Sequence, residues 1–336
     1  MATRQRTAAE ARRADVDARS FSGNFGAIVE NVEQVIQGKS EAIRLAVICM
    51  VAEGHLLIED VPGVGKTSLA KALATSLGGK WQRIQFTPDL LPSDVTGVTV
   101  FSRATSTFEF RPGGIFANLV LGDEINRASP KTQAALLEAM EERTVTVDAT
   151  TYALPHPFMV IATQNPIEHE GTYELPEAQL DRFLMKLTVG YPDRASELAM
   201  LDLPGVSESL PEAPPLFGPA VVLALRARTR AVRVAPPIKE YAVDLVRATR
   251  DPSSFGLGDL APLIDLGASP RATLALVQAS RAHALLSGRD YVTPHDVKSL
   301  ARDVLRHRVQ VSYEADAEGL SPDAILGRIL DHLRVP

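Results

Sequence analysis

A short glycine-containing stretch has the residue types and spacing best suited to hold phosphate groups. It reads Glu59-Asp60-Val61-Pro62-Gly63-Val64-Gly65-Lys66-Thr67. The strand-like apolar run 55–58 leads into it, and the run 68–77, with its leucines four residues apart, predicts a helix behind it. A strand, a glycine loop, Gly-Lys-Thr and a helix form the arrangement that cradles a triphosphate.

Each part of this stretch has an expected task. Backbone N–H groups and the helix N-terminus face the phosphates, Lys66 neutralises the β and γ oxygens, and the Thr67 hydroxyl reaches Mg²⁺. The usual pattern has glycine where this chain has Asp60, but Gly63 and Gly65 still let the backbone approach a phosphate. The residues predicted to bind the nucleotide here are Asp60, Val61, Pro62, Gly63, Val64, Gly65, Lys66, Thr67 and Ser68.

Polar residues end two later apolar runs. Asp123 follows the run 119–122 and suits a Mg²⁺ shell, while Glu124 could accept a proton from an attacking water. The alternative is that these acids only precede a helix and cap it. Asn165 ends the next run and could bond a γ-phosphate or position the water, although Asn-Pro is also a common turn.

Two arginines lie where a phosphate could use them. Arg182 ends a short predicted helix, 176–182, where the helix dipole alone would also favour a cation. Arg271 follows a good N-cap, Ser269, and therefore lies in the first turn of a predicted helix. A cation in that turn is disfavoured, so we expect an anion such as a bound phosphate to compensate it.

Composition limits the class of protein. At 336 residues and 45% apolar content the chain suggests two domains with ample cores, and its net charge of −6 argues against nucleic-acid binding driven by charge. The single cysteine, Cys49, is predicted to be a core residue in a reducing compartment. We find no apolar run near the ~20 residues of a membrane helix and no secretory signal, so a cytoplasmic protein is expected.

Apolar runs alternate with helical patterns from residue 25 to 191, which predicts a three-layer αβα fold with a largely parallel sheet. The predicted strands are 55–59, 81–86, 118–122, 158–163 and 185–189. The predicted domains are a flexible tail (1–20), an α/β core (21–200), a proline-rich linker (201–219) and a smaller all-α domain (220–336). Two segments, 98–111 and 144–154, predict β-hairpins that either decorate the surface or contact a substrate or a neighbouring subunit.

Together these residues resemble the MoxR family of AAA+ ATPases, which have a P-loop, over about residues 25–309. The sequence of the phosphate-binding stretch closely resembles the family's sequence at this place, including Asp60. The other motifs that carry the resemblance are Gln85–Asp94, Asp123–Arg127, Ala162–Pro166, Leu175–Phe183 and Gly267–Ala272.

The resemblance implies roles for the residues of the first site. Lys66 and Thr67 look like Walker A residues, Asp123 and Glu124 look like Walker B residues, and Asn165 looks like sensor 1. The implied cofactors are ATP and Mg²⁺.

Three further residues receive roles in the same way. Arg271 looks like the sensor 2 arginine of a helical lid, and Arg182 resembles an arginine finger that reaches the nucleotide of the adjacent subunit. Gly38 lies where the family contacts adenine. We also expect loss of the γ-phosphate to release Asn165 and Arg271 and to let the lid rotate.

The resemblance also implies partners. Such ATPases are similar to chaperone-like machines that form rings, often hexamers, and many act with von Willebrand factor A proteins on client complexes. The two hairpins look like family insertions that tend to face the central pore. This chain lacks the Asp-x-Ser-x-Ser motif of the partner domain, so that partner would be a separate polypeptide.

The sequence therefore favours Mg²⁺-dependent ATP hydrolysis by a ring that remodels or activates partner protein complexes. An ATP-controlled binding switch is the alternative. A nucleic-acid motor would use the arginines of 226–233 and 302–308, which are more simply solvated faces or subunit contacts. A small-molecule kinase fits least, because Glu124 points to water as the acceptor. If Arg182 is not the finger, Arg127 and Arg143 are the next candidates.

Overall fold

In a computed structural model of the protein, the described residues are 18–36, 38–59, 65–165, 172–188 and 218–336, with single positions between 190 and 216. The predicted tail up to residue 17, the loop residues 60–64 and nearly all of the predicted linker lie outside them. The domain boundaries therefore stay predictions.

A five-stranded parallel sheet forms the centre of the first part of the chain. Its strands are β1 (Leu56–Glu59), β2 (Trp81–Gln85), β5 (Leu119–Asp123), β8 (Met159–Gln164) and β9 (Met185–Leu187). They lie in the order β2-β5-β8-β1-β9, and each observed bound is within two residues of its prediction. Side chains alternate between the faces, so Leu56 and Ile58 join one buried apolar cluster and Leu57 joins another.

Helices cover both faces of the sheet. The helices given with full bounds in the described residues of this part are α1 (Ala18–Glu33), α2 (Ser40–Val51), α3 (Lys66–Ser76), α4 (Pro92–Thr96), α5 (Pro130–Glu142) and α6 (Glu177–Leu180). Buried residues of α1, α2 and α3 pack in the cluster of Leu56 and Ile58, whereas α5 packs in that of Leu57. Helices on both faces of a parallel sheet confirm the three-layer αβα prediction.

Both predicted β-hairpins are present. The first pairs β3 (Gly97–Ser102) with β4 (Thr107–Pro112), and the second pairs β6 (Thr144–Val147) with β7 (Thr150–Ala153). The turn Asp148-Ala149 has positive φ angles of 47° and 64°, as two-residue hairpin turns often require. The rings of Phe110 and Tyr152 stack with centroids 3.9 Å apart and join the hairpins, while Phe101 and Phe108 are exposed.

The second part of the chain is mainly helical. Its helices are α7 (Pro219–Ala231), α8 (Pro236–Arg250), α9 (Pro270–Leu286), α10 (Pro294–Leu305), α11 (Tyr313–Ala317) and α12 (Pro322–His332). The Ser269 hydroxyl caps α9 as predicted, accepting the backbone N–H of Arg271 at 3.0 Å. The all-helical prediction misses two short antiparallel strands, β10 (Ile264–Leu266) and β11 (Gln310–Val311). These strands tie the segment before α9 to the segment after α10.

Two general predictions can be compared with this structure. Cys49 is buried, as predicted, and burial raises the pKa of its thiol. Within the part of the chain that the structure describes, no helix is both long and apolar enough to cross a bilayer.

Two histidines are buried without charge. The ring of His55 accepts the Val160 N–H at Nδ1 (2.9 Å) and, in the tautomer this requires, donates from Nε2 to the Met140 carbonyl (3.1 Å). Burial lowers the pKa of His55 to about 3. Burial also lowers the pKa of His307, whose Nε2 bonds the Phe183 carbonyl at 3.0 Å. Both rings therefore stay neutral in the folded chain at neutral pH.

The free energy of unfolding is expected to fall as the pH drops below about 6.5, because the unfolded chain then binds protons at both histidines and the folded chain does not. Each of the two histidines adds a slope of about 1.4 kcal/mol per pH unit to the dependence of the unfolding free energy on pH. For His55 this contribution stops near its folded pKa of about 3, where the folded chain binds the proton too. Denaturant unfolding between pH 7 and pH 5 measures this slope. His55→Gln should make it shallower by about one histidine's share; an unchanged slope would remove His55 from the account.

Candidate functional site

The carboxyl ends of β1, β5 and β8 gather the predicted phosphate-site residues at one edge of the sheet, which we call the carboxyl edge. β1 leads toward Gly65, whose φ of +88° is left-handed, and α3 begins directly after it at Lys66. Asp123 is the last residue of β5, and Asn165 directly follows β8 and is buried. The structure thus brings the strand-end residues together beside the helix that the phosphate loop precedes.

Asp123 is held by two neighbours. Its Oδ1 accepts a hydrogen bond from the Thr163 hydroxyl at 2.6 Å. Its Oδ2 accepts two from the Arg83 guanidinium, at 2.6 Å from Nη2 and 3.1 Å from Nε. Only 8% of Asp123 is exposed, and Arg83 is its partner of opposite charge. The carboxylate is therefore fixed in direction and already paired with positive charge.

Glu124 is oriented just as closely. Its φ of +57° is left-handed, a strained conformation for a residue other than glycine. Its Oε2 accepts from the Gln85 amide at 2.9 Å and from Arg127 Nη1 at 3.0 Å. Its backbone N–H bonds the Thr163 hydroxyl at 2.9 Å, so one hydroxyl links the two acids. These contacts hold the Glu124 carboxylate toward β2.

The sequence analysis missed Arg83 and Gln85 as site residues. Both lie on β2, two residues apart, and therefore on one face of that strand. β2 pairs with β5 in parallel, and Gln85 lies opposite Asp123 in the register. Polar residues at alternate positions of an otherwise apolar sheet were the signal that could have identified them.

Gly38 lines a cleft of about 270 Å³ near the same edge, which we call the Gly38 cleft. Its other walls come from α2, from residues 187–188 at the end of β9, and from Asp303 and Arg306 in and after α10. Burial raises the pKa of Asp303 to about 6, although the nearby Arg306 charge opposes that shift. The cleft therefore joins the N-terminal segment to the second, helical part of the chain.

Arg182 and Arg271, the arginine pair, share one carboxylate. Glu141 Oε2 accepts from Arg182 Nε at 2.8 Å, and Oε1 accepts from Arg271 Nη2 at 2.6 Å. Burial alone would raise the pKa of Glu141, but the hydrogen bond from Arg271 and the charge of Arg182 lower it below its usual value. An anion does compensate Arg271 in the first turn of α9, and in this structure that anion is Glu141.

The arginine pair lies away from the carboxyl edge. It lines a cavity with His55, which directly precedes β1, and Arg182 itself comes before β9. The pair is therefore at the opposite, amino edge of the sheet. The length of β1 alone separates the edges by about 10 Å, at ~3.3 Å per residue. The structure thus does not place Arg271 beside Asn165 over one phosphate, contrary to our expectation of a lid that both residues release.

Two arginines of the stretches 226–233 and 302–308, which a nucleic-acid motor would use, are buried and hold the fold together. Arg226 is buried and donates to the Met50 carbonyl at 3.0 Å and the Phe158 carbonyl at 3.4 Å. Arg308 is also buried and pairs with Asp181 at 2.7 Å. The interpretation of these two as solvated or contact arginines is wrong, because a guanidinium with several internal acceptors can be buried.

Other arginines of the stretch 226–233 form ion pairs with acids at the surface. Arg230 pairs with Glu53, and Arg233 with Asp290 at 3.2 Å. Among the alternative finger candidates, Arg143 pairs with Glu53 at 3.2 Å and Arg127 with Glu124. Each of these four surface arginines is therefore paired with an acid of the same chain.

Comparisons with known proteins assign the family. Residues 55–185 match the family model described as "ATPase family associated with various cellular activities (AAA)", and residues 259–329 match the AAA lid domain. The Chaperone MoxR1 of Mycobacterium tuberculosis is 42% identical over 91% of this chain and 80% of its own length. Protein MoxR of Paracoccus denitrificans is 35% identical over 87% and 90%. This chain belongs to the MoxR family of AAA+ ATPases.

Other relatives of this MoxR-family chain agree. Protein YeaC of Bacillus subtilis is 49% identical over 93% of this chain and 95% of its own length. The crystal structure of a protein from Cytophaga hutchinsonii assigned as an ATPase has a TM-score of 0.91 at 39% identity, covering 97% of this chain and 99% of that one. The predicted family and AAA+ fold are confirmed, and nucleotide binding follows from the family.

Proposed function

We propose that this protein is a Mg²⁺-dependent ATPase whose active sites form between neighbouring subunits of a ring, and whose ATP cycle remodels or activates partner protein complexes. One observation carries the proposal. The acidic pair and the arginine pair lie at opposite edges of the same sheet, so a single subunit holds two half-sites. A head-to-tail ring joins each half-site to the complementary one of the next subunit.

The carboxyl edge takes the nucleotide. The loop 60–65 and the N-terminus of α3 hold the phosphates, Lys66 neutralises the β and γ oxygens, and the Gly38 cleft takes the base. The cleft adjoins the end of β9, and β9 pairs with β1. A bound ATP therefore extends from the cleft to the end of β1.

The same edge fits magnesium. Asp123 is a nearly buried carboxylate, the type of oxygen ligand that Mg²⁺ takes, and the ion would replace Arg83 as its counter-charge. Asp123 and the Thr67 hydroxyl, in the first turn of α3, would hold the ion beside the phosphates. When bound, Mg²⁺ supplies charge neutralisation to the transferring phosphoryl group.

The remaining polar groups act on the water and the γ-phosphate. Glu124 accepts a proton from the attacking water, since its carboxylate is fixed by Gln85 and Arg127 next to Asp123. Asn165, at the end of the adjacent strand β8, positions the water or bonds a γ-oxygen.

Both arginines of the pair serve the next subunit. Because Arg182 and Arg271 lie at the amino edge, they contact a γ-phosphate only when it belongs to a neighbour. They are held 2.8 Å and 2.6 Å from a single carboxylate, so they are spaced to grip one tetrahedral anion. This extends the predicted trans role of Arg182 to Arg271.

The physiological task follows from the relatives. One relative is named a chaperone, and we extend a chaperone-like role to this chain. A separate von Willebrand factor A protein and a client protein are the proposed partners, and the paired hairpins are the proposed contact surface. An ATP-controlled binding switch with slow hydrolysis is the second candidate, because Arg182 and Arg271 are both engaged by the Glu141 carboxylate within the isolated subunit.

The test is the ATPase rate measured against protein concentration, with particle mass followed with and without ATP and Mg²⁺. We expect the specific activity to rise as rings assemble, and we expect chelation of Mg²⁺ to abolish it. Lys66→Ala is the control, because it removes the phosphate counter-charge and should lose both nucleotide binding and turnover. A flat, very low rate at every concentration would favour the binding switch.

A further inference from the structure

The Asp181 carboxylate joins three parts of the molecule. Its Oδ2 accepts from the Ser269 hydroxyl at 2.8 Å, and its Oδ1 accepts from Arg308 Nε at 2.7 Å. Ser269 caps the helix whose first turn carries Arg271, and Asp181 directly precedes Arg182 in the chain. One carboxylate therefore contacts the supports of both members of the arginine pair.

Arg308 fixes the chain around Asp181 from the helical part of the molecule. Only 3% of its side chain is exposed. Its Nη2 donates to the carbonyls of Asp181 (3.0 Å) and Phe183 (2.6 Å), and its Nη1 donates to that of Leu184 (3.2 Å). The neighbouring His307 ring bonds the Phe183 carbonyl as well. The segment 181–184 is thus bound to the residues that follow α10 and should move with them.

The other side of the same connection reaches the Gly38 cleft. Asp303, in α10, and Arg306, directly after it, line that cleft. Arg306 pairs with Asp303 at 3.3 Å and with Asp323 of α12 at 3.1 Å. Arg306, which lines the cleft, and Arg308, which binds the segment 181–184, are two residues apart. Only a short piece of chain therefore connects the cleft wall to the arginine that holds this segment.

We propose that Asp181 is a positioning residue that couples the nucleotide cleft of one subunit to the arginine pair which that subunit offers to the next. A nucleotide in the Gly38 cleft shifts the end of α10, and Arg308 carries the shift to Asp181. Asp181 then moves Arg182 through the chain and Arg271 through Ser269. A buried, multiply bonded ion pair transmits such a shift as a unit, because separating its charges is costly. The inference rests on the proposed trans role of the arginine pair.

Asp181→Asn tests this coupling, since it removes the charge but keeps the shape of the side chain. Four quantities are measured: ring mass, affinity for a fluorescent ATP analogue, turnover, and the Hill coefficient of turnover against ATP concentration. We expect rings to assemble and affinity to stay within about twofold. Turnover should fall about tenfold or more, and the Hill coefficient should fall from above one to about one. Arg308→Lys should behave alike, and the double variant should be no worse than either single one.

Arg289→Lys is the matched control. It weakens another ion pair of the helical part, that of the half-buried Arg289 with the fully buried Asp296, which does not touch 181–184. It should lower the melting temperature without changing the Hill coefficient. If Asp181→Asn does not fold, Ser269→Ala replaces it, because this change keeps the Asp181–Arg308 pair while it removes the connection to α9 and the hydroxyl cap of that helix. It should lower the Hill coefficient.

Several results would overturn the coupling. They are a wild-type Hill coefficient of one, wild-type cooperativity in Asp181→Asn or in its replacement Ser269→Ala, and an equal loss of cooperativity in Arg289→Lys. Arg182→Ala separates this failure from failure of the proposed function. Normal turnover by Arg182→Ala removes the proposed trans role of Arg182, on which the coupling rests, whereas an inactive Arg182→Ala beside a cooperative Asp181→Asn removes only the coupling.

Discussion

Arg182→Ala is expected to bind ATP within about twofold of the wild type and to lose turnover by ~10³–10⁵, the range for a missing trans arginine in related phosphoryl-transfer systems. The reason is positional. Arg182 lies at the amino edge of the sheet, on the far side from its own phosphate-binding helix, so its loss spares binding and removes charge only from a neighbour's transition state. Analogue affinity and steady-state ATPase rate at a concentration where rings persist measure both halves of this result.

A mixing experiment makes the prediction sharper. Lys66→Ala cannot use its own nucleotide site but keeps Arg182, whereas Arg182→Ala keeps its nucleotide site and lacks the arginine. Mixed rings of the two inactive variants should regain part of the activity, since some interfaces combine an intact site with an intact arginine. If mixed rings of verified mass do not regain activity, Arg182 does not act on the nucleotide of a neighbouring subunit. It then either acts on the nucleotide of its own subunit or takes no part in hydrolysis. Normal turnover by Arg182→Ala alone would move the finger assignment to Arg127 or Arg143.

Glu124→Gln is expected to bind ATP and Mg²⁺ as the wild type does and to turn over ~10²–10⁴ more slowly, the usual contribution of a general base. Glutamine has the same shape and can still bond Gln85 and Arg127, so the site geometry is retained while the proton acceptor is lost. Single-turnover hydrolysis and analogue affinity, measured on the same preparation, separate chemistry from binding.

Glu138→Gln is the matched control, because Glu138 is an exposed acid on α5 that contacts none of these groups. It should change neither quantity. Turnover by Glu124→Gln within about threefold of the wild type would remove Glu124 from proton transfer. An equal loss of affinity and rate would instead assign it to holding the nucleotide.

Local patterns in the sequence were sufficient for most of the core. Apolar runs predicted all five strands of the sheet to within two residues, and the alternation of strands with helical patterns predicted its parallel, three-layer arrangement. The Ser269 cap of α9 was equally predictable, since capping depends on a few adjacent residues. The acidic residues at the end of β5 could be identified because parallel strands bring their carboxyl ends to one edge.

The position of the helical part against the core was not predictable in this way. The first-turn location of Arg271 is local, but its place at the amino edge depends on packing between residues far apart in the chain. The burial of Arg226 and Arg308 has the same origin, because each donates to a carbonyl more than a hundred positions away, Met50 for Arg226 and Leu184 for Arg308. Periodicity describes which face of a helix is apolar and does not specify which distant surface covers it.

The stacked rings of Phe110 and Tyr152 bear on how this surface can vary among relatives. The two hairpins are separate segments of the chain, yet each supplies half of one aromatic contact. Exchanging one hairpin alone would leave the remaining ring without its stacking partner and expose its apolar face to water. On the proposed role of the hairpins as the client contact surface, changes of client preference by recombination should succeed when both hairpins are transferred together, as one exchangeable module.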